Sequence, residues 1–310
     1  MSSTHSIMFH HFHGFKHLPA PGSLSGDEFE AMLDWLGKKH NLIGASEYLH
    51  KLNINELEPS EVCLSFDDAL LSQYDIALPI LNERRLNAFF FVYSSVFTEK
   101  PDYLEIFRHF RTNCFSSVDD FYEIFFGIVK LNFSDELSLH KKEYKKLDYL
   151  SICPFYTEND KWFRYLRDKM LGVTRYEKLM LDLMEARSFD SAEVIKDLWM
   201  SEDNLKDIAT KGHLIGLHSY SHPTQMSELN YDDQMNQYVK NLEHLEGLIG
   251  KNKVVSMSHP CGDYNDDTLR ILSDLNIQIG FRSNLSRADI KSKFEVPRDD
   301  HANVFKAMKQ

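Results

Sequence analysis

Two imidazoles stand four residues apart in His218-Ser219-Tyr220-Ser221-His222, and two carboxylates stand side by side at Asp67-Asp68. Histidines at i and i+4 share one face of a helix, but Gly212 and Gly216 before them and Pro223 after them favour a strand end and a turn. Either geometry lets both rings grip one metal ion. Adjacent acids often merely cap a helix. On an extended chain, however, neighbouring side chains point to opposite sides, so one carboxylate can ligate a cation while the other faces a water molecule. A metal held by one carboxylate and two imidazoles keeps positions open for water and for a carbonyl oxygen. Such an ion lowers the pKa of its water toward ~7 and polarises the carbonyl, and a neighbouring carboxylate can take the water's proton.

These groups need elements that bring them together, and each follows an apolar run. Ser6–Phe9 reads as a strand ending in His10-His11-Phe12-His13, Val62–Phe66 as a strand running into Asp67-Asp68, and His213–Leu217 as one delivering His218. Val254–Met257 leads into His259-Pro260-Cys261-Gly262; Ala88–Tyr93, Ile277–Phe281 and Phe294–Arg298 complete the set. Between them the spacing predicts helices after Ser25, which has Glu28 three residues on as a capping box requires, and over Leu70–Leu81, Asn204–Lys211, Tyr231–Ile249 and Asp266–Leu275. Near-continuous apolar strands alternating with helices indicate an α/β fold of parallel βα units. In such barrels and sheets the C-terminal strand ends converge on one face. Asp67, Asp68, His218, His222, His259 and His10 are therefore expected to meet there. Residues 100–203 break the rhythm, with Phe107, Phe110, Phe121, Tyr122, Phe125 and Phe126 at helical spacing and Lys141, Lys142, Lys145 and Lys146 as a solvated basic face. That stretch is expected to be a helical insertion, a candidate lid, within a single domain spanning 1–310.

Composition narrows the classes. A formal charge of −12 argues against nucleic-acid binding, which needs a basic stripe. Cys63, Cys114, Cys153 and Cys261 are scattered without a CxxC pair, a pattern of reduced thiols. The first residues lack a basic stretch followed by an apolar one, and no run approaches the ~20 apolar residues of a membrane span. A cytoplasmic location is the expectation; the oligomeric state is not set by these features.

Ser65-Phe66-Asp67-Asp68, His218-Ser219-Tyr220-Ser221-His222 and Pro260-Cys261-Gly262 resemble the successive motifs of the polysaccharide deacetylases (NodB-like, carbohydrate esterase family 4). The resemblance covers roughly residues 6–98 and 200–300 in the family's order. It implies a distorted parallel (β/α) barrel with a divalent metal, usually Zn2+, that removes N- or O-acetyl groups from sugars. Carried over by position, Asp67 is the general base, Asp68, His218 and His222 are the metal ligands, and the backbone N–H of Cys261, before Gly262, helps to stabilise the oxyanion. Two departures stand out: Ser258 occupies the place of an arginine that tethers the base, and Ala69 that of a glycine. Arg298 in Val296-Pro297-Arg298-Asp299-Asp300 is the candidate for the missing guanidinium, against a plain surface salt bridge. For the general acid, Phe9-His10 resembles the N-terminal strand end of a permuted subgroup that includes exopolysaccharide deacetylases, with His301 and His259 as runners-up. The function expected is deacetylation of an acetylated sugar or glycan precursor in surface polysaccharide biosynthesis. A deformylase or non-sugar amide hydrolase on the same fold, and an inactive binding protein, are the alternatives.

Overall fold

A computed structural model describes residues 5–14, 16–98, 103–151, 156–285 and 292–310. Among the described residues eight strands form one sheet: β1 (His5–Phe9), β2 (Asn41–Leu42), β3 (Glu61–Asp67), β4 (Phe89–Val92), β5 (Leu214–Leu217), β6 (Ser256–Ser258), β7 (Ile279–Phe281) and β8 (Arg298–Asp300). Seven lie in the order β7-β6-β5-β4-β3-β1-β8, all parallel, with β2 added on β3. Just before β8 the chain also bridges to β7: Phe281 pairs with Val296, and the Arg282 N–H donates to the Val296 carbonyl at 3.0 Å. The sheet thereby curls into a nearly closed parallel (β/α) barrel, with the parallel βα units that the strand-helix rhythm predicts and the barrel form that the family resemblance implies.

Strand alternation sorts the side chains. Val62, Leu64, Phe66, Phe90, Val92, Ile215, Leu217 and Met257 belong to a layer shared with Phe29, Leu33, Leu205, Tyr238 and Leu272 of the surrounding helices. Cys63, Phe89, Phe91, Ile279 and Phe281 form a second cluster inside the barrel, joined by Tyr48. Continuing that alternation places Asp67, His218 and Ser258 on the inner side, in line with Cys63, Gly216 and Ser256. Gly216 has to be glycine: a Cβ there would lie 2.5 Å from Ser256 Oγ and 2.7 Å from the Phe91 ring.

The helix Gly26–Lys39 has the expected capping box of Ser25 and Glu28, and it buries Phe29, Met32, Leu33 and Leu36. The helix predicted over Leu70–Leu81 runs over residues 71–83, with a π-helical segment, Gln73–Ala77, leading directly into Leu78–Glu83. Pro79 explains that segment, since it lacks the N–H that would continue a regular ladder. Three elements were not expected: β2, the helix Ala45–Asn53, and the helix His301–Met308, which Asp300 caps through Ala302.

The chain forms two compact units, one of residues 1–102 and 197–310 and one of residues 103–196. The second is helical, with Phe121, Phe125 and Phe163 packed ring against ring and Phe110 against Phe189. Lys141, Lys142, Lys145 and Lys146 are exposed. The boundary expected at 203 lies near 196, because Trp199 bridges to Leu70 and the Met200 N–H donates to the Ala69 carbonyl at 2.8 Å. Its start at 100 lies outside the described residues, as does Cys153; Cys63 and Cys114 are free thiols. Among the described residues no helix is long and apolar enough to cross a membrane.

Candidate active site at the barrel rim

Asp67 ends β3 on the inner side and is 2% exposed. Fully buried Arg298, arriving on β8, grips it with both ends of its guanidinium, Nη1 to Oδ1 and Nη2 to Oδ2, each at 2.7 Å. Nη2 also donates to Ser258 Oγ at 2.7 Å, whose hydroxyl lies 3.2 Å from Asp67 Oδ2, and Nε donates to the Arg282 carbonyl at 3.0 Å. Ser258 thus stands in the clamp where the resemblance leads one to seek an arginine, and the guanidinium comes from another strand. Burial pushes the Asp67 carboxyl up, but the charges of Arg298 and then His218 outweigh it, and its pKa is lowered. Asp67 is therefore an anion at neutral pH, oriented and unable to swing away.

Asp68, at φ +76°, turns its carboxylate away from that clamp, and Ala69 follows at φ +52°. Two left-handed residues in succession account for the glycine common at the second position. Asp68 Oδ1 lies 3.4 Å from His218 Nε2 and 3.5 Å from His222 Nε2. His218 Nδ1 donates to the Ser258 carbonyl at 2.8 Å, which fixes the tautomer and aims the Nε2 lone pair at Asp68. His222, also left-handed at φ +51°, has its ring 5.4 Å from that of Tyr93, and burial pulls its pKa down to about 4. For His218 burial acts downward too, but Asp67 and Asp68 prevail and its pKa is raised.

All three groups are buried, and Asp68 Oδ1 has no hydrogen-bond partner. A buried carboxylate oxygen facing imidazole nitrogens calls for a cation. The spacing suits one: ligand atoms around a tetrahedral ion with bonds of ~2.0–2.1 Å stand about 3.3–3.4 Å apart. The donor set of one carboxylate and two imidazoles therefore fits zinc or a similar divalent ion.

His10 reaches the same place from the end of β1. Its Nε2 lies 3.9 Å from Asp67 Oδ2 and 3.9 Å from Asp68 Oδ2, and its side chain is 25% exposed. His259 does not join them. It is fully buried, its Nε2 donates to the Phe294 carbonyl at 2.8 Å, its ring stacks on Tyr264, and burial drives its pKa to about 3. The structure does not bring His259 to the group it was expected to join: it is buried, with its Nε2 engaged and its Nδ1 without a hydrogen-bond partner. His301 gives its Nε2 to the Gly22 carbonyl, with its other nitrogen toward Asp300. Cys261 sits exposed in a tight turn at φ +53°. The Gly262 N–H is engaged by the His259 carbonyl, and a Cβ at Gly262, φ +70°, would lie 2.1 Å from Ser283 Oγ, so this glycine shapes the turn.

Sequence reasoning missed three supporting residues. Asn241 accepts from the His218 N–H at 3.0 Å and donates to the Val92 carbonyl and to Ser94 Oγ; it is a polar residue in the buried stripe of helix Tyr231–Ile249, which is the signal that marks it. Tyr93, just past β4, lies against the His222 ring. Ser65, two residues before Asp67, receives a hydrogen bond from Arg298 at 3.3 Å.

The profile of the polysaccharide deacetylase family matches residues 175–280, a span that holds His218, His222 and the Pro260-Cys261-Gly262 turn. No curated protein matches the chain. Among solved structures, the Streptococcus pyogenes deacetylase PplD, determined with acetate, superposes with a TM-score of 0.55 at 16% identity, covering 96% of this chain and 91% of its own. IcaB from Ammonifex degensii gives 0.54 at 15% identity with the same coverages. The BpsB deacetylase domain from Bordetella bronchiseptica gives 0.54 at 12% identity, covering 96% of both chains. At these identities the likeness establishes the fold.

Proposed function

We propose, from the premise that this chain has the polysaccharide deacetylase fold and carries that family's profile, that it is a metal-dependent hydrolase removing the N-acetyl group from an amino sugar of a glycan or glycan precursor. One observation carries the reading: an arginine-clamped carboxylate, Asp67, adjoins a buried carboxylate and two imidazoles arranged to hold one cation, with a further imidazole beside both acids.

The roles follow from the contacts. Asp68, His218 and His222 would hold the ion, zinc by the donor set; bound there, it supplies Lewis acidity and a more acidic water. Asp67 is an anion with its orientation fixed by Arg298 and Ser258, suited to accept the proton of the attacking water. His10, partly exposed and facing the same two carboxylates, is placed to protonate the departing amine. The turn at Cys261 offers its backbone N–H to the carbonyl oxygen as negative charge develops.

The test pairs metal analysis with a substrate panel. Purified protein should retain one tightly bound divalent ion per chain, and Asp68→Ala should lose it. Acetate release from N-acetylated amino sugars, free, activated and oligomeric, should fall by ~10²–10⁴-fold in Asp67→Asn while the metal stays bound. Full metal retention by Asp68→Ala, or undiminished turnover by Asp67→Asn, would falsify the assignment.

A further inference from the structure

β1 and β8 are adjacent and parallel, with Met8 opposite Asp300. The residues at and just past their C-terminal ends, His10 on one and Asp300 and His301 on the other, therefore share one stretch of the rim. Each offers a ligand atom, and the three atoms lie within 4.8 Å of one another. His301 is 6% exposed, with its ring stacked 5.7 Å from that of Phe9. Its hydrogen bonding settles which nitrogen faces the group. Nε2 donates to the Gly22 carbonyl at 2.8 Å, and the buried Nδ1 has no hydrogen-bond partner. Nδ1 stands 3.5 Å from Asp300 Oδ1, which accepts from the Ala302 N–H at 2.8 Å. A buried imidazole nitrogen opposite a carboxylate oxygen, with a second imidazole alongside, is a donor set that suits a divalent cation.

We propose that His10, Asp300 and His301 form a second divalent-cation site, and that filling it takes His10 out of proton transfer. The second clause rests on the reading of His10 as the general acid. An imidazole nitrogen that ligates a metal has committed its lone pair to that bond, so a ligated His10 cannot relay a proton to an amine. The two sites differ in access. Asp68, His218 and His222 are all buried, whereas the His10 and Asp300 side chains are 25% and 21% exposed. Ligand atoms up to 4.8 Å apart must also close toward the roughly 3.3 Å of a tetrahedral site. The second site is therefore the weaker one and fills in excess cation, giving a hydrolase that its own metal inhibits.

The experiment is a zinc titration of metal-depleted full-length protein by equilibrium dialysis with elemental analysis, run beside initial rates in the same zinc series. Wild type should bind two equivalents, the second at least tenfold more weakly, and its rate should fall as the second fills. His301→Ala and Asp300→Asn should each keep the first equivalent, which also shows that the variant is folded, and should bind the second at least tenfold more weakly still. Their inhibition should move to higher zinc by the same factor. A single equivalent in wild type, with a proton serving the Nδ1–carboxylate pair instead, overturns the site, as does a second equivalent indifferent to both variants. A second equivalent without inhibition overturns the link to His10. Failure of the proposed function shows elsewhere, in the response of the first equivalent to Asp68→Ala.

Discussion

Replacing Arg298 by methionine tests the clamp on the base directly. Methionine keeps an unbranched apolar stem in the space beside the Phe91 ring, over which the guanidinium lies at 5.7 Å. It removes both 2.7 Å bonds to Asp67 and leaves a carboxylate that is 2% exposed without its countercharge. Breaking one side of a buried pair costs about 3–5 kcal/mol. The loss should depend on pH. In wild type, burial raises the Asp67 pKa but Arg298 leads the groups that bring it below the ordinary carboxylate value. Its ionised form thus adds stability above the unfolded pKa of ~3.9, and that stability is lost as pH falls through the folded value. In Arg298→Met burial goes unopposed by the guanidinium, the folded pKa rises above the unfolded one, and the stabilising form becomes the neutral acid. The gap between wild type and variant should be full at pH 7 and narrow as pH falls toward ~4. Urea unfolding of metal-free protein across that range measures it. In the metal-loaded enzyme the acid limb of the kcat/KM profile should shift upward by about 2 units or more. A stability gap that is flat with pH, together with an unmoved acid limb, would show that Arg298 fills space and does not hold Asp67 ionised.

Other residues give further expectations. His10→Gln should lower kcat by ~10²–10⁴-fold while leaving the tightly bound metal in place, as measured by elemental analysis beside turnover; unchanged kcat would remove it from proton transfer. His213 is buried, its Nδ1 accepts from the Ala88 N–H at 3.0 Å, and burial brings its pKa to about 4. The folded state therefore refuses a proton that the unfolded chain takes up at ~6.5, so stability should decline by about 3 kcal/mol as pH falls from 6.5 to 4. His213→Gln, which can still accept that N–H, should flatten this slope in pH-dependent unfolding, and an unaltered slope would assign the acid sensitivity elsewhere. Gly216→Ala should cost roughly 1–3 kcal/mol by forcing a methyl against Ser256 and Phe91, read as a lower urea midpoint.

What could be read from the sequence was whatever depends on short-range periodicity. The runs before His10, Asp67 and His218 are strands, and parallel packing brings their ends to one rim because strand alternation puts Asp67 and His218 on the same side as Cys63 and Gly216. Ser258 and Arg298 show where that reading stops. Nothing local to Ser258 says that its hydroxyl sits between a guanidinium and a carboxylate 40 and 191 residues away in sequence. That contact exists because Val296 meets Phe281 while Arg298 meets Ser6, drawing β8 round to close the barrel. His259 failed for the complementary reason. It also stands at a strand end, but its Nε2 finds the Phe294 carbonyl and its ring finds Tyr264. A strand end is thus not sufficient for a place in the site. The deciding quantity is whether the side chain's polar atoms are already satisfied by the fold, as they are at His259 Nε2, or left facing one another, as at Asp68 and the two imidazoles. His301 shares with His259 a satisfied Nε2 and an unpartnered Nδ1, and it differs in that its Nδ1 stands 3.5 Å from the Asp300 carboxylate.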